Sequence, residues 1–443
     1  MTKRKESLEG IRILDFTWSV SGSTTARVLA ALGAEVIKVE WPKNPDFMRF
    51  SMYAKDDEPG LDNGAFFNNL NAGKKSFTIN VKSEKGMDTI HKLLKKSDVV
   101  LENFSAGIFK KWGLDEQTLQ EISPGIIYMS ISGLGHTGRN KMYGTWGPSA
   151  AGLNGVTYIS GLPETHPAGW GYSVMDIIAG YTGVFSVITA LYHQRKTGGK
   201  GQHIDISQIE TGLPLAGANL LDYSVNGRSS RRPGFPPGNR SVTSKEHPEN
   251  NYRGKVGVPH NSYRSKGGGY NDWCTIAIFS DEEWETFKGA IGKPEWAMNP
   301  EYDTFEGRLI HQDRLDSEIE VFTLTKDKYE IMEQLQKHGI SCAAVQMNEN
   351  LMEHDPQLKA RGLFERLTHP LLGERNLIGV PIKMSETQPY IHSTAPLMGN
   401  DNNYVLKEVL GFSDKEIKEL NGQGVLWPED MREDEFEAVK PLW

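Results

Sequence analysis

Residues 10–40 read GIRILDFTWSVSGSTTARVLAALGAEVIKVE, and this stretch decides the fold class. The apolar run at 10–16 predicts a buried strand, 22–33 predicts a helix that ends at Gly33, and 34–39 predicts a second strand. A strand, a helix and a strand in so short a span predict a βαβ unit with parallel strands. Ligands of open α/β sheets bind beyond the carboxyl ends of the strands, so the loop at residues 17–22 is a candidate binding site.

The alternation of strands and helices continues along the chain. Further strands are predicted at 75–81, 98–101, 126–131 and 201–206, and helices at 83–96 and 114–122. This order predicts an α/β fold, with a Rossmann-like doubly wound parallel sheet in a large domain. The loop at 17–22 lacks the G-x-G-x-x-G fingerprint, and the chain has no G-x-x-x-x-G-K-[ST] sequence. The pattern therefore excludes the usual nicotinamide and P-loop sites.

A change of composition divides the chain. Residues 227–272 are rich in Gly, Pro, Asn, Arg and Ser and predict a loop-rich connector. A strand at 273–279 and a helix at 280–292 then begin a smaller α/β domain. We predict three segments: 1–224 in the large domain, 225–325 as connector and small domain, and 326–443 as the return to the large domain with an acidic tail at 428–443. The glycine run at 267–269 fits either an active-site loop or a hairpin turn.

Charge and cysteine content limit the class of protein. The formal net charge of the 443 residues is −8, which argues against binding to nucleic acid. The two cysteines, Cys274 and Cys342, match neither a zinc site nor a disulfide framework, so we expect no metal and a cytoplasmic location. No run of 18 apolar residues and no signal-peptide core occur, so no membrane span is expected.

A single acid stands at the start of the most apolar helix. Residues 169–180 read GWGYSVMDIIAG, and the apolar period that follows predicts a buried helix with Asp176 in its first turn. One interpretation is a capping box with Ser173 as the N-cap residue. The other is a carboxylate nucleophile at a helix N-terminus beside flexible glycines. These residues alone leave both open.

Nine segments, in order, are similar to one enzyme family. They are LDFT at 14–17, LGAEVIKVE at 32–40, LNAGKKS at 70–76, DVVLENF at 98–104, ISGLG at 131–135, TGGKGQHIDIS at 197–207, HDPQL at 354–358, ARG at 360–362 and APLMG at 395–399. Each is weak alone, but together the chain resembles the class III CoA-transferases, which include the formyl-CoA, carnitine and bile-acid CoA transferases.

The resemblance implies a mechanism and a site. It places the catalytic aspartate at Asp176, where the carboxylate would form an acyl anhydride and then an aspartyl-CoA thioester. A positive helix end would keep that carboxylate ionised. Coenzyme A, as acyl-CoA substrate, is the only cofactor implied, and a carboxylic acid is the acceptor. The implied CoA-binding residues are Ser19, Val20, Ser21, Asn71, Lys74, Lys75, Asn103, Phe104 and Lys111. The family forms interlocked dimers, so a homodimer or a heteromer with a related subunit is expected.

Several positions depart from the family pattern. Val20 stands where the formyl-CoA branch has glutamine, and Trp41 stands where the family has arginine, so Lys43 or Arg49 would have to supply that cation. Aromatic residues near the implied site favour an apolar or aromatic acceptor, with succinyl-CoA as a plausible donor, as in the similar benzylsuccinate CoA-transferases. They are Trp18, Trp146, Trp170 and Tyr172. The alternatives are an acyl-CoA racemase of the same fold, which needs a histidine that the segment 144–148 lacks, and a partner subunit of a heteromeric transferase.

Overall fold

The structure is a computed structural model, and it describes residues 6–50, 55–57, 60–161, 165–231 and 257–427. The chain forms two compact units. The larger contains residues 1–156, 170–215 and 357–443, and the smaller contains residues 157–169 and 216–356. The predicted acidic tail at 428–443 and most of the connector at 227–272 lie outside the described residues.

The larger unit alternates strands and helices along the chain. Its elements in the first two stretches are β1 (Arg12–Asp15), α1 (Ser21–Ala31), β2 (Glu35–Glu40), α2 (Ala65–Leu70), β3 (Lys75–Thr78), α3 (Glu84–Leu94), β4 (Val99–Glu102), α4 (Ile108–Lys111), α5 (Glu116–Ile122), β5 (Ile127–Ser132), α6 (Gly147–Leu153), α7 (Val174–Thr197), β6 (His203–Ser207) and α8 (Gln208–Gly212). Side chains cap several of these helices: Ser83 accepts a hydrogen bond from an N–H of α3, and Asp115 does so in α5. Gly33, at φ 100°, allows the left-handed turn between α1 and β2.

Six strands of the larger unit form one parallel sheet in the order β3-β2-β1-β4-β5-β6. This is the strand order of doubly wound dinucleotide-binding folds. The α/β class and the parallel sheet predicted from the sequence are therefore confirmed. The strand predicted at 201–206 is present as the edge strand β6.

Apolar side chains cover both faces of this sheet. Successive residues of a strand point to opposite faces, so Ile13 and Leu14 of β1 belong to different cores. One core packs β1, β4 and β5 against α1 and α7, and the other packs the sheet against α3 and α5. Helices on both faces are what the doubly wound prediction requires. Because the helices cover the two faces of the sheet, the carboxyl ends of the strands remain available for a binding site.

Helix α7 is the most apolar element of the larger unit. Its 24 residues are long and apolar enough, by length and composition alone, to cross a membrane, which the sequence prediction did not anticipate. Several of its residues are instead buried in the core with the sheet: Ala179, Val184, Val187, Ala190 and Leu191. Thr25 of α1 donates a hydrogen bond to the Gly180 carbonyl oxygen at 2.8 Å. We therefore describe α7 as a core helix.

The smaller unit contains a separate antiparallel sheet. Its elements are α9 (Gly217–Asn226), β7 (His260–Arg264), β8 (Trp273–Ala277), α10 (Asp281–Ala290), α11 (Phe305–Ile310), α12 (Gln312–Thr323), α13 (Lys328–Gln336), β9 (Ser341–Ala344) and α14 (Asn348–Glu353). The sheet order is β7-β8-β9, and the glycines at 267–269 lie in the turn between β7 and β8. The sequence predicted the connector and small domain at 225–325. In the structure β9 pairs with β8, so the smaller unit extends to residue 356.

The chain then passes through α15 (Pro356–Arg361) and returns to the larger unit. There it forms the hairpin of β10 (Phe364–His369) and β11 (Gly373–Ile378), a π-helix at Tyr404–Val409 and α16 (Asp414–Gly422). Val405, Leu406, Ile417 and Leu420 pack in the same core as α3 and α5. The end of the chain thus completes one face of the parallel sheet.

Candidate active site

Asp176 lies in the first turn of α7, where the sequence places it. Ser173 is the N-cap residue, but its backbone is left-handed, with φ 44° and ψ 36°, and its side chain accepts no N–H of the helix. The predicted capping box is therefore absent. The carboxylate is held from another element instead, because Gln208 Nε2 donates a hydrogen bond to Asp176 Oδ1 at 2.7 Å.

Burial raises the pKa of Asp176 above its usual range, and the hydrogen bonds from Gln208 and Ser173 offset part of this rise. Desolvation disfavours the charged carboxylate because water is replaced by protein. The sequence suggested that the helix end would keep the group ionised. In the structure, the Gln208 and Ser173 side chains and the backbone N–H of Asp176 in the first turn of the helix together oppose the effect of burial.

Gly147, the first residue of α6, packs directly against Asp176. A Cβ atom at position 147 would overlap Asp176 Oδ2 and would stand 2.9 Å from Ser173 Cα. Only glycine allows this approach without displacement of the carboxylate. Gly144 also borders the site, yet a Cβ atom there would meet nothing within 4 Å.

A cavity of about 870 Å³ opens above Asp176, and we call it the Asp176 cavity. It lies at the carboxyl ends of β1, β4, β5 and β6, the edge at which ligands bind in such sheets. Five of the predicted site residues line it: Ser19, Ser21, Asn103, Phe104 and Asp176. Its other polar and charged lining includes Ser132, Lys141, Thr145 and Gln208, and its aromatic lining includes Trp18, Phe47, Tyr143, Trp146 and Tyr172.

The first-strand loop owes its shape to buried charges. Ser19 has a left-handed backbone with φ 57°, and its N–H donates to both oxygens of the fully buried Asp46 carboxylate, at 3.1 and 3.2 Å. Lys38 Nζ donates to the Thr17 carbonyl oxygen at 2.6 Å and lies 3.4 Å from Asp46 Oδ2. The strained backbone of Ser19 is thus held by partners outside the loop.

Asn103 joins this loop to the end of β4. Its Nδ2 donates to the Trp18 carbonyl oxygen at 2.7 Å and to Ser21 Oγ at 3.2 Å, and its Oδ1 accepts from the Trp18 N–H at 2.8 Å. The ring of Phe104 lies edge-on to that of Trp18, with centroids 5.6 Å apart. Two separate predicted segments therefore build one wall of the Asp176 cavity.

Three predicted residues are buried away from the cavity. Val20 packs in an apolar cluster with Met48 and Phe67. Lys74 Nζ donates to Asp15 Oδ2 and to Asn71 Oδ1, both at 2.8 Å, with Lys74 and Asp15 almost fully buried. Burial lowers the pKa of Lys74 to about 8. Val20, Asn71 and Lys74 are therefore engaged in internal contacts and do not line the Asp176 cavity.

The remaining two predicted lysines line other depressions, and Lys75 shares its depression of about 500 Å³ with Lys74. Lys75 Nζ lies 4.0 Å from Asp401 Oδ1 and 4.2 Å from the centroid of the Tyr404 ring. Lys111 is exposed and lines a cavity of about 310 Å³ with Lys110 and Lys141, which we call the lysine cavity. Because Lys141 lines both this cavity and the Asp176 cavity, the two are adjacent.

A further cavity of about 630 Å³ lies at the ends of β1, β2 and β3, and we call it the strand-end cavity. It shares Trp18, Phe104 and Ser105 with the Asp176 cavity. Lys43 and Lys82 line it, whereas Arg49 is fully buried between Glu40 and Asp62. Of the two cations that the sequence offered in place of the family arginine, Lys43 is thus the accessible one.

Sequence reasoning missed Gln208, Gly147 and Asp46. Gln208 directly follows β6, so the rule that sites lie beyond strand ends would have selected it. Gly147 and Asp46 carry no local signal, because their roles depend on contacts with distant residues. Among the described residues, no group of three His, Cys, Asp or Glu side chains is placed to hold a metal ion.

The chain is similar to proteins of known family over nearly its full length. The model of CoA-transferase family III matches residues 8–402. A formyl-CoA:oxalate CoA-transferase of Streptomyces coelicolor is 32% identical over 421 residues, which cover 95% of this chain and 99% of that protein. One from Rhodopseudomonas palustris is also 32% identical, over 429 residues that cover 97% of this chain and 98% of that protein.

Solved structures resemble the fold. A CaiB/BaiF family protein from Brucella suis superposes with a TM-score of 0.78 at 24% identity, covering 92% of this chain and 100% of that one. A Mycobacterium tuberculosis protein superposes with a TM-score of 0.71 at 23% identity, covering 90% of this chain and 99% of that one. At these identities the likeness concerns the fold alone.

Proposed function

We propose, from the premise that this chain belongs to CoA-transferase family III and is a CoA-transferase, that Asp176 is its covalent nucleophile. The observation that carries the proposal is the position of its carboxylate. It borders a cavity at the carboxyl edge of the sheet and is oriented by Gln208 at 2.7 Å. A group-transfer nucleophile needs this combination of access and fixed direction.

The transfer then runs through covalent intermediates. The Asp176 carboxylate attacks the donor thioester carbonyl and expels CoA thiolate, which leaves an acyl-aspartyl anhydride. The thiolate attacks the aspartyl carbonyl, releases the donor acid and forms an aspartyl-CoA thioester. The acceptor carboxylate displaces the thiolate to form a second anhydride, and the thiolate attacks the acceptor acyl carbon to give the new acyl-CoA and free Asp176.

Backbone N–H groups near Gly147 are suited to stabilise the oxyanions of these steps. The helix α6 begins at that residue, and although Pro148 has no N–H, the N–H groups of Gly147 and Ser149 in its first turn have no acceptor within the helix. The absence of a side chain brings the main chain close to the carboxylate. Donors fixed at such a position stabilise a developing charge without reorganisation.

We place coenzyme A across the cavities that meet at Trp18 and Phe104. Its acyl-thioester end would enter the Asp176 cavity past Ser19, Ser21 and Asn103. The aromatic strand-end cavity suits the adenine group, and the exposed lysines suit the phosphates, which require cations or N–H donors. Those lysines are Lys43 and Lys82 in the strand-end cavity and Lys110, Lys111 and Lys141 in the lysine cavity.

The lining of the Asp176 cavity favours an apolar or aromatic acid as acceptor. Three of the four aromatic residues selected from the sequence, Trp18, Trp146 and Tyr172, line it. Trp146 is 62% exposed and Tyr172 is 50% exposed, so their rings are available to a ligand. An arylsuccinate with succinyl-CoA as donor is the acceptor and donor pair we propose. Oxalate with formyl-CoA is the second candidate, favoured by the names of the relatives that are 32% identical.

The racemase alternative requires a histidine opposite the aspartate. Among the described residues that line the Asp176 cavity, none is a histidine, and His136 lines the lysine cavity instead. This favours the transferase. Solvent deuterium exchange at the α-carbon of an acyl-CoA, without CoA transfer, would reverse the preference.

Trapping of the intermediate tests the nucleophile. Hydroxylamine attacks the aspartyl carbonyl of the thioester, expels CoA thiolate and leaves a hydroxamate. After incubation with succinyl-CoA and hydroxylamine, peptide mass spectrometry should find the hydroxamate at Asp176 alone. Asp176→Asn and Asp176→Ala should give no adduct and no transfer while keeping the circular dichroism of the parent. A parent protein with full turnover and no adduct at Asp176 would contradict the proposal.

A panel of acids tests the acceptor. Benzylsuccinate, phenylacetate, octanoate, oxalate and formate are each offered with succinyl-CoA and with acetyl-CoA, and the CoA esters are read by mass spectrometry. We expect aryl acids to be fastest. Faster transfer to oxalate or formate than to every aryl and long-chain acid would select the second candidate and leave the Asp176 mechanism intact.

A second copy of the chain is the partner we propose. Large apolar side chains on α7 remain exposed in the single chain, and an exposed apolar patch marks an interaction surface. They are Tyr181, Phe185, Ile188 and Tyr192. A homodimer, interlocked as in the family, would cover them, and a heteromer with a related subunit is the alternative. Because Cys274 and Cys342 are both free and buried, we expect the assembly to work in the cytoplasm.

A further inference from the structure

A buried carboxyl group stands behind one wall of the Asp176 cavity. Glu102 ends β4 and is fully buried, and the two residues after it, Asn103 and Phe104, line the cavity. The Phe104 N–H donates to Glu102 Oε2 at 2.7 Å, and the Tyr128 hydroxyl donates to Glu102 Oε1 at 2.8 Å. The carboxyl group therefore fixes the turn that carries two cavity residues.

His136 faces the same carboxyl group from the glycine-rich loop after β5. Its Nε2 lies 3.6 Å from Glu102 Oε1, and within the described part of the chain this buried nitrogen has no hydrogen-bond partner. Its backbone N–H donates to Asp205 Oδ1 at 2.8 Å. Gly133 of the same loop lines the Asp176 cavity. The Glu102–His136 contact thus joins two different walls of the cavity.

The protonation states of the two groups are complementary. Burial raises the pKa of Glu102 to about 8, and burial lowers the pKa of His136. At pH 7 the carboxyl group therefore carries a proton, and the imidazole is neutral. A protonated carboxyl group can donate and a neutral imidazole nitrogen can accept, so the proton of Glu102 has a compatible neighbour in His136 Nε2, although the 3.6 Å between the two atoms is longer than a formed hydrogen bond.

The other charged groups around Glu102 and His136 do not stabilise an ionised Glu102 carboxylate. Asp205 of β6 is an anion that raises the pKa of Glu102 further, and Lys141 is the cation that acts on His136. His203 of β6 stacks on Tyr128 with ring centroids 4.3 Å apart, and its Nδ1 lies 3.5 Å from Glu116 Oε2 of α5. A deprotonated Glu102 would therefore be a buried anion beside a second anion.

We propose that Glu102 and His136 are positioning residues that hold the Asn103–Phe104 turn against the glycine-rich loop while Glu102 is protonated, and that loss of this proton loosens the coenzyme A site. The inference rests on the proposed function, because it treats the Asp176 cavity as that site. Neither residue touches the reacting atoms. Their effect should therefore appear in the binding of coenzyme A more than in the chemical step.

Glu102→Gln tests the proposal because an amide cannot lose the proton. In the parent, the Kd for free coenzyme A from calorimetry should rise about fivefold between pH 7 and pH 9, and the KM for acyl-CoA should follow it. In Glu102→Gln both constants should stay within about twofold over that range, with kcat at pH 7 within about threefold of the parent. Glu121→Gln, the same change at an exposed carboxylate of α5, should keep the parental pH dependence.

A second variant keeps the inference testable if Glu102→Gln does not fold. His136→Leu removes the acceptor, and it should raise the Kd for coenzyme A about tenfold at pH 7 while kcat changes less. A parental rise of Kd in Glu102→Gln, or an unchanged Kd in His136→Leu, overturns the proposal. Either result would leave the hydroxamate at Asp176 in place, whereas failure of the proposed function would remove that adduct from the parent.

Discussion

Gln208 Nε2 donates a hydrogen bond to Asp176 Oδ1 at 2.7 Å, so the carboxylate at the start of α7 is held from the start of α8. The bond opposes the effect of burial, which raises the pKa of Asp176. A nucleophilic carboxylate must be ionised, and this donor favours the ionised form.

Replacement of Gln208 by Leu should move the acid limb of activity to higher pH. Loss of the donor raises the pKa of Asp176 further, so a smaller fraction is ionised at low pH. We expect kcat/KM to fall about tenfold at pH 5, which corresponds to about 1.4 kcal/mol, and to fall less at pH 8. The measurement is kcat/KM from pH 4.5 to pH 9. Gln202→Leu, at an exposed position before β6, is the control, and an unshifted acid limb in Gln208→Leu would refute the role of the donor.

Gly147→Ala should disable the site, whereas Gly144→Ala should not. A Cβ atom at 147 would overlap the Asp176 carboxylate, but one at 144 would meet nothing within 4 Å. We expect kcat to fall about a hundredfold in the first variant and to stay within about twofold in the second, because a small misplacement of a reacting group is costly. Steady-state kinetics and the hydroxamate yield measure both. Equal activity of the two variants would show that the close approach has no catalytic importance.

Asp46→Ala should destabilise the larger unit. The change removes a fully buried carboxylate that accepts from the Ser19 N–H and lies 3.4 Å from Lys38 Nζ. Breaking a buried ion pair costs about 3 kcal/mol because the remaining charge stays buried. Urea unfolding of the parent and the variant gives this difference in the free energy of unfolding.

An exposed ion pair provides the matched control for Asp46. Arg366 and Glu374 lie 2.5 Å apart with side chains that are 69% and 61% exposed, so Glu374→Ala should change stability by less than about 1 kcal/mol. If Asp46→Ala cost no more than this control, the buried charges under the first-strand loop would not be what holds it.

Phe185→Glu should dissociate the proposed homodimer. Phe185 lies on α7 and is 73% exposed, so a charge there would be desolvated only if a second copy covers it. We expect the parent to scatter light as a dimer at micromolar concentration and the variant to scatter as a monomer. Leu371→Glu, at a residue 50% exposed in the β10–β11 turn, should remain dimeric. A parent that is monomeric at this concentration would contradict the assembly.

Local patterns predicted the elements of the larger unit well. The mostly apolar segments at 10–16, 34–39 and 98–101 correspond to β1, β2 and β4, since the buried strands of a parallel sheet are largely apolar on both faces. Asp15 and Lys38 are buried charged exceptions in these strands. The position of Asp176 in the first turn of α7 followed in the same way from the apolar period and the preceding glycines. The C-terminal boundary of the smaller unit was harder to predict, since no local pattern shows which sheet a strand such as β9 will join.

The lysines show where sequence patterns fail. Lys74 and Lys75 are adjacent in a glycine-containing segment that favours phosphate contact, but Lys74 is buried against Asp15, which is 59 residues away in the chain. Lys141, which carried no motif, borders both the Asp176 cavity and the lysine cavity. Whether a charge is exposed depends on what folds over it, and residues far apart in sequence decide that.

The sequence by itself determined the α/β class, the βαβ start, the family and the aspartate at the head of α7, because apolar periodicity and short motifs are local properties. Only the tertiary structure decided what surrounds that aspartate. The contacts around it join segments that are distant in the chain: Gln208 binds its carboxylate, Gly147 packs against it, and Glu102 contacts His136 behind the Asp176 cavity. Such contacts arise when parallel strands bring their carboxyl ends to one edge, and no local pattern records which side chains then meet.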